Sequence, residues 1–346
     1  MPPALSGGMG ERAMQRRSLG LALLGLPMLA RPGRAAPVLR ISKQYGLGYL
    51  SMMVMERQGL MEKHAARFGV TGLQVEWSTL GGPAAQIDAL LTGQADFIGP
   101  GVPTLATLWD KTAGTPQEVR ALCALQSMPF VMMTRNPAIR SVADLTAADK
   151  IALPGVKLTG HALSLEIAAA KQWGFDHYDR LDPLTITLPH PDAMAALLGG
   201  LSEIDCHLAS SPFYYYERVA PGIRAVMKSY DVVGERHTNG LVLATKRFHD
   251  ANPALCAAMF AALEEANAAI KADPAAAAAT YLAMTGDKKV DQATFTDWVS
   301  DPDVDYTTTP KAMTFVAFMH RVGRIKHQPG SWRDLFFPEA HGLAGG

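Results

Sequence analysis

Two stretches of the sequence have the residue types of a small-molecule binding site at the start of a helix. The first, "GGPAAQIDALLTGQADFIGPG" (81–101), begins with two glycines and a proline, and "PDAMAALLGGLSEIDCHLASSP" (191–212) repeats its plan. Glycine lets a ligand approach the backbone, and the free N–H groups of a helix N-terminus attract anions. The pair therefore predicts two places where backbone groups could hold an anion.

The elements around these stretches predict an α/β protein. Short strands such as "VLRIS" (38–42) alternate with helical patterns, as in mostly parallel sheets, and helices follow from residue 252 onward. Segments 120–135 and 238–248 are long and apolar, and each is predicted as a strand that crosses between two lobes. We therefore expect lobe 1 at 37–126 with 240–346, and lobe 2 at 130–234. Ligands bind at the carboxyl ends of strands in such sheets, so the two lobes would enclose a cleft.

The N-terminus has the features of an export signal. Arg16 and Arg17 precede the apolar run "SLGLALLGLPMLA" (18–30), which is too short to span a bilayer, and small residues follow at positions 33 and 35. "QRRSLG" resembles a twin-arginine signal, but a general secretory signal stays open. We expect residues 1–35 to be removed and the mature protein to be periplasmic. No other stretch looked long and apolar enough to span a membrane.

Composition excludes several classes of protein. Hydrophobic residues make up 48% of the chain and charged residues 18%, as in an ordinary folded protein. Without residues 1–35 the chain has 27 basic and 31 acidic residues, a net charge of −4 that does not favour nucleic-acid binding. The motifs of serine hydrolases, zinc proteases and nucleotide-binding loops are absent. The three cysteines are far apart and are expected to be buried, and we expect neither a metal nor a cofactor.

Four motifs in order resemble the substrate-binding proteins of ABC importers in the nitrate/taurine/aliphatic-sulfonate (SsuA-like) class. They are "GGPAAQIDALLTGQADFIGPG", "DLTAADKIALPG", "LPHPDAMAALLGG" and "FMHRVGRIKHQPGSWRDLFFPE", and they span most of the chain from Val38 to Glu339. The resemblance implies a type II periplasmic-binding-protein fold with two lobes that close on a ligand. It also implies a permease and an ATPase in the membrane as partners, and we expect a monomer.

Candidate ligand contacts lie in loops and helix starts on the predicted cleft. In lobe 1 they are Gln44, Tyr45, Gly81, Gly82, Pro83, Gly99 and Pro100, and in lobe 2 they are Thr159, Gly160, His161, His190, Ser210 and Ser211. Gln44 and Tyr45 would provide an amide and an aromatic wall. Thr159 and Asp192 are expected to cap the helices that begin beside them.

The sequence thus favours a solute-binding protein that captures a small, anionic molecule and not an enzyme. Two enzymes share the fold and remain alternatives. The pyrimidine-synthesising proteins of thiamine biosynthesis have a cysteine-rich motif that this chain lacks, and the chorismate-dehydratase type usually has no signal. Delivery of the ligand to a sensor instead of a permease is a third alternative, and an adjacent permease gene would distinguish it.

Overall fold

The protein, for which we have a computed structural model, is described here over residues 36–200 and 203–346. The predicted export signal lies outside the described residues. Within them, ten strands form two five-stranded sheets. Sheet 1 has the order β2-β1-β3-β10-β4, with β1 at Val38–Lys43, β2 at Gln74–Thr79, β3 at Phe97–Ile98, β4 at Val119–Ser127 and β10 at Thr238–Thr245. Sheet 2 has the order β7-β6-β8-β5-β9, with β5 at Val131–Thr134, β6 at Ile151–Leu153, β7 at Thr185–Thr187, β8 at Cys206–Ala209 and β9 at Arg224–Lys228.

The two sheets have the same plan. In each, three neighbouring strands are parallel (β2, β1, β3 and β7, β6, β8), and an antiparallel strand separates them from the last one. The antiparallel strands are β10 and β5, the two that follow a passage of the chain from the other sheet. The repeated stretches form equivalent helix–strand pairs that end in β3 and β8. This is the two-lobed α/β fold that the sequence predicts, with mixed sheets.

The chain passes between the sheets twice. The segment 120–135 is not one strand, because β4 ends at Ser127 and β5 begins at Val131 in the other sheet. The return passage lies between Lys228 of β9 and Thr238 of β10. On this basis we propose the lobe limits 37–126 with 240–346, and 130–234.

Thirteen helices within the described residues surround the sheets. They are α1 Leu50–Gln58, α2 Leu60–Arg67, α3 Pro83–Leu91, α4 Val102–Thr112, α5 Gly160–Trp173, α6 His190–Gly199, α7 Phe213–Arg218, α8 Ser229–Val233, α9 Lys246–Ala251, α10 Pro253–Ala272, α11 Pro274–Thr285, α12 Gln292–Val299 and α13 Met313–Arg321. Gly59 separates α1 from α2 with a φ of 61°, a left-handed conformation that glycine adopts without strain.

Helix α10 is long and apolar enough to cross a membrane by length and composition, which we did not anticipate from the sequence. Its buried residues, including Leu255, Met259 and Leu263, belong to the same apolar cluster as Leu39 and Ile41 of β1. We therefore interpret α10 as a core helix.

The core lies on both faces of the sheets. In β10, Val242 and Ala244 belong to one apolar cluster and Leu241 and Leu243 to the other, because successive side chains of a strand point to opposite faces. Each sheet is therefore a middle layer between helices. All three cysteines are buried, as predicted.

Candidate ligand-binding site

A small cavity lies where loops of both sheets meet. Its volume is about 40 Å³, and its lining comes from segments that follow β1, β2, β3, β6, β7 and β8 and from the ends of β4 and β10 that adjoin the passages between the sheets. The lining residues are Gln44, Tyr45, Gly48, Tyr49, Pro83, Gly101, Gln126, Pro154, Thr159, Gly160, His161, His190, Ser210 and Asn239. None of these has a permanently charged side chain. A cavity with convergent polar groups from both sheets is the natural candidate for a ligand site.

Five helices begin at this cavity. Tyr49 is the N-cap of α1 and Gly101 that of α4, whereas Pro83, Gly160 and His190 are the first residues of α3, α5 and α6. A helix N-terminus carries the equivalent of about half a positive charge. The first turns of α1, α3, α4 and α5 contain no acidic residue that would offset it. The first turn of α6 contains Asp192, so the backbone dipoles of the other four helices are the ones that favour a negative charge in the cavity.

The start of α5 is held in place by local contacts. The hydroxyl of Thr159 accepts a hydrogen bond from the N–H of Ala162 (3.3 Å) and donates to the carbonyl of Gly155 (2.9 Å), so Thr159 caps the helix as predicted. A side chain at Gly160 would lie 2.7 Å from the ring of Phe130. Gly160 thus permits Phe130 to pack against the helix start.

His161 projects from the first turn of α5 into a buried polar contact. Its Nε2 lies 2.9 Å from the hydroxyl of Ser210, and its ring packs on Phe130 at 3.9 Å between centroids. Its Nδ1 is buried and has no protein partner in the part of the chain that the structure describes. Burial lowers the pKa of His161 well below the usual value, and nearby His190 and His207 lower it further. His161 is therefore a neutral side chain with one nitrogen left for a ligand.

His190 belongs to a chain of three buried side chains. Its Nδ1 lies 2.8 Å from Nε2 of His207 in β8, and Nδ1 of His207 contacts the carboxyl of Glu217 in α7. Burial lowers the pKa of His207 to about 3 and raises the pKa of Glu217 well above its usual range. Since Nδ1 of His190 is taken by His207, Nε2 is the nitrogen that could meet a ligand.

The wall from sheet 1 is built from amides and aromatic residues. Nε2 of Gln44 donates to the side chain of Gln86 (2.7 Å), which is buried and donates to the carbonyl of Ser42 (3.2 Å). The hydroxyl of Tyr49 donates to the carbonyl of Gly99 (2.6 Å). These contacts fix the orientation of Gln44 and of the aromatic ring of Tyr49 at the cavity.

Gln126 joins the two passages between the sheets. Its side chain donates to the carbonyl of Gly48 (3.0 Å) and accepts from the N–H of Gly240 (2.7 Å). A side chain at Gly48 would lie 2.4 Å from the amide nitrogen of Gln126, so it would displace the Gln126 side chain from these hydrogen bonds.

The structure brings eight of the thirteen candidate residues to the cavity. These are Gln44, Tyr45, Pro83, Thr159, Gly160, His161, His190 and Ser210. The other five, Gly81, Gly82, Gly99, Pro100 and Ser211, lie beside it without lining it. A side chain at Gly82 would lie 2.9 Å from the carbonyl of Pro154, and the carbonyl of Ser211 accepts from the N–H of Leu47 (2.9 Å). Their role as ligand contacts stays a prediction.

One interpretation of a cap was wrong, and several lining residues were not among the candidates. Pro189, not Asp192, occupies the N-cap of α6, so Asp192 lies in the first turn. Tyr49, Gln126 and Asn239 line the cavity and are not among the residues predicted from the sequence. Gln126 and Asn239 could have been included, since both lie where the sequence predicts passages between the lobes.

A second cavity of about 580 Å³ shares Gln44 and Tyr45 with the first. Its lining includes the apolar side chains of Met53 and Phe213 as well as Lys289. A larger groove of about 680 Å³ lies along β5 and β9. Asp301 and Asp303 reach it from the C-terminal part of the chain, and it shares no lining residue with the small cavity.

Comparison with solved structures identifies the fold as that of periplasmic binding proteins. The similar structures include the periplasmic aliphatic sulphonate binding protein SsuA from Escherichia coli, with 18% identity, 88% of this chain and 98% of that chain covered, and a TM-score of 0.63. SsuA from Xanthomonas axonopodis pv. citri bound to MOPS has 19% identity, coverage of 87% and 96%, and a TM-score of 0.66. The periplasmic nitrate-binding protein NrtA from Synechocystis PCC 6803 has 15% identity, coverage of 87% and 84%, and a TM-score of 0.65. No protein-family model and no curated protein sequence matches the chain.

Proposed function

We propose that this chain is the extracytoplasmic solute-binding component of an ABC importer. It captures a small anion between its lobes and delivers it to a membrane permease and its ATPase. The similar structures are sulfonate- and nitrate-binding proteins, and the resemblance of the four motifs supports the same role. We further propose that it acts as an exported monomer, and that it binds its ligand without converting it.

The observation that carries the proposal is the convergence of five helix N-termini on a cavity without permanently charged side chains. An anion would meet backbone N–H groups and the positive ends of helix dipoles there. A cation would meet the same dipoles unfavourably, with no carboxylate in the lining to compensate. The cavity therefore favours an anion over a cation.

The size of the two cavities indicates what kind of anion would fit. About 40 Å³ is room for a few water-sized groups, since one water needs roughly 10–15 Å³ by this measure. A compact oxygen-rich head group, such as nitrate or the sulfonate of a taurine-like molecule, suits the inner cavity. The second cavity combines apolar side chains with lysines and with the carboxylates of Glu56 and Asp287, which pair with Lys43 and Lys289, so it suits an organic tail with apolar and polar groups.

A thermal-shift screen tests this function. Nitrate, sulfate, taurine, ethanesulfonate and MOPS would be compared with choline and uracil as cationic and neutral controls. A ligand at about 100 times its Kd stabilises the native state by about 2.7 kcal/mol, so a binding anion raises the Tm. Stabilisation by choline or uracil and by none of the anions would contradict the proposal, and isothermal titration calorimetry would confirm any hit.

A further inference from the structure

The hydrogen-bond chain Glu217–His207–His190 runs from α7 through β8 to the start of α6 at the cavity. His207 and Glu217 have no exposed surface, and His190 is 7% exposed. Neither His207 nor Glu217 lines the cavity, so they act on a ligand only through His190.

Such a chain has a direction, because each nitrogen or oxygen in it either donates or accepts. If Glu217 carries a proton, it donates to Nδ1 of His207, and Nε2 of His207 then donates to Nδ1 of His190. His190 is then left with a proton on Nε2, which is a donor toward the cavity. If Glu217 is an ionised acceptor, every bond reverses, and His190 presents a lone pair instead.

The surroundings of Glu217 favour the first direction. Its Oε2 is buried and has no hydrogen-bond partner in the described part of the chain, and an ionised carboxylate would leave that oxygen charged and unpaired. Burial raises the pKa of Glu217 and lowers the pKa of His207, so the pair is neutral and shares one proton. A charged His207 beside an ionised Glu217 is disfavoured by the same burial.

We propose that Glu217 and His207 are positioning residues, whose shared proton makes Nε2 of His190 a hydrogen-bond donor to a bound oxyanion. The site then selects ligands that only accept hydrogen bonds, and it loses affinity for them when the chain loses this proton. The inference rests on the proposed function, because it concerns the same anion site.

Few other titratable groups face His190. His161 of α5 packs on it at 5.0 Å between ring centroids, and the ring of Phe213 in α7 stacks on it at 5.1 Å. Burial keeps the pKa of His161 well below its usual value, so His161 stays neutral at the pH values of interest. Tyr45 and Tyr49 line the cavity from the other sheet, and burial raises the pKa of Tyr49. The proton shared by Glu217 and His207 therefore decides whether Nε2 of His190 donates or accepts a hydrogen bond.

Titration calorimetry with two probes of the same shape tests the inference. Ethanesulfonate only accepts hydrogen bonds, whereas ethanesulfonamide is neutral and also donates them. As the pH rises from about 6 to the alkaline limit of the folded protein, we expect the affinity for ethanesulfonate to fall, by up to about tenfold per pH unit once the Glu217–His207–His190 chain loses its proton. The affinity for ethanesulfonamide should change less or rise, because the deprotonated chain offers it an acceptor.

Two variants separate positioning from a purely structural role. The amide in Glu217→Gln can donate to His207 without titrating, so we expect it to bind ethanesulfonate with the pH dependence lost. Glu217→Leu leaves Nδ1 of His207 without a partner, and we expect weaker binding at every pH, by roughly tenfold. If the Leu variant does not fold, the wild-type profile and the Gln variant still decide.

A wild-type affinity for ethanesulfonate that stays constant from about pH 6 to the alkaline limit of the folded protein would overturn the inference. Retention of the wild-type slope in Glu217→Gln would overturn it as well. Binding of ethanesulfonamide without binding of ethanesulfonate or nitrate at any pH would instead overturn the proposed anion function, and this inference with it.

Discussion

Substitution of Gly82 by alanine should weaken ligand binding without destabilising the free protein. Gly82 precedes α3 in the half of the molecule built on sheet 1, and Pro154 follows β6 of sheet 2. A Cβ at position 82 would lie 2.9 Å from the carbonyl oxygen of Pro154. That oxygen belongs to the backbone, so it cannot rotate away, and the two lobes would have to move apart.

The size of the effect follows from the contact. Overpacking of a close-packed interface costs about 1–3 kcal/mol, which corresponds to a Kd roughly fivefold to 150-fold higher. The backbone at Gly82 is extended, with a φ of −176°, so alanine fits it without strain. Alanine is a poorer N-cap than glycine but lowers the entropy of the unfolded chain, and these opposite effects are each at most about 1 kcal/mol. The Tm of the free protein should therefore change little.

Titration calorimetry with the anion that binds best in the screen, together with thermal melts of the free protein, would measure both quantities. Gly81→Ala is the matched control, because its Cβ would make an ordinary contact of 3.4 Å with Pro189. We expect Gly81→Ala to bind like the wild type. An unchanged Kd in a folded Gly82→Ala variant would refute the reasoning, because Gly82 and Pro154 would then not be this close in the ligand-bound protein.

Three further outcomes are expected. Thr159→Ala should lower the free energy of unfolding by about 1 kcal/mol and the binding free energy by no more than that, because the Thr159 hydroxyl caps the helix. Urea melts and titration calorimetry would measure the two quantities. A loss of binding free energy larger than the loss of stability would indicate that the hydroxyl contacts the ligand. Burial lowers the pKa of His237 to about 4, below the 6.5 of an unfolded histidine, so its contribution to stability is present above pH 6.5 and is lost as the pH falls toward 4. In urea melts, the free energy of unfolding of His237→Gln should therefore fall less between pH 6.5 and pH 4 than that of the wild type, by up to about 3 kcal/mol. An equal fall in both proteins would show that His237 is not the cause. Mass spectrometry of the exported protein should find a mature N-terminus close to Ala35, and an intact Met1 on a cytoplasmic protein would contradict export.

Periodicity and turn residues were enough to predict the elements and their duplication. The repeated helix–Gly–Asp–strand phrase yields α3 with β3 and α6 with β8, at equivalent places in the two sheets. The prediction that segment 120–135 forms a single strand was wrong. Its two strands, β4 and β5, are both buried and differ only in the sheet they join. An apolar run contains no signal for such a change of sheet.

The candidate site could be predicted in part for the same reason. Residues at helix starts, such as Gly160 and His161, could be predicted as contacts because local sequence determines where a helix begins. The cavity is also lined by Gln126 and Asn239, which lie at the ends of β4 and β10 beside the passages between the sheets. Their proximity to the other lining residues depends on how the two sheets are oriented, which cannot be predicted from the spacing of residues along the sequence.

By itself the sequence determined the α/β class, the duplicated plan and the helix starts, because these depend on contacts between near neighbours in the chain. Only the tertiary structure decided which residues meet. Glu217, His207 and His190 are spread over α7, β8 and α6, and none of them indicated a hydrogen-bond chain from its local sequence. Burial then decided their chemistry, because removal from water shifts the pKa of His207 and Glu217 in opposite directions, both toward the neutral form.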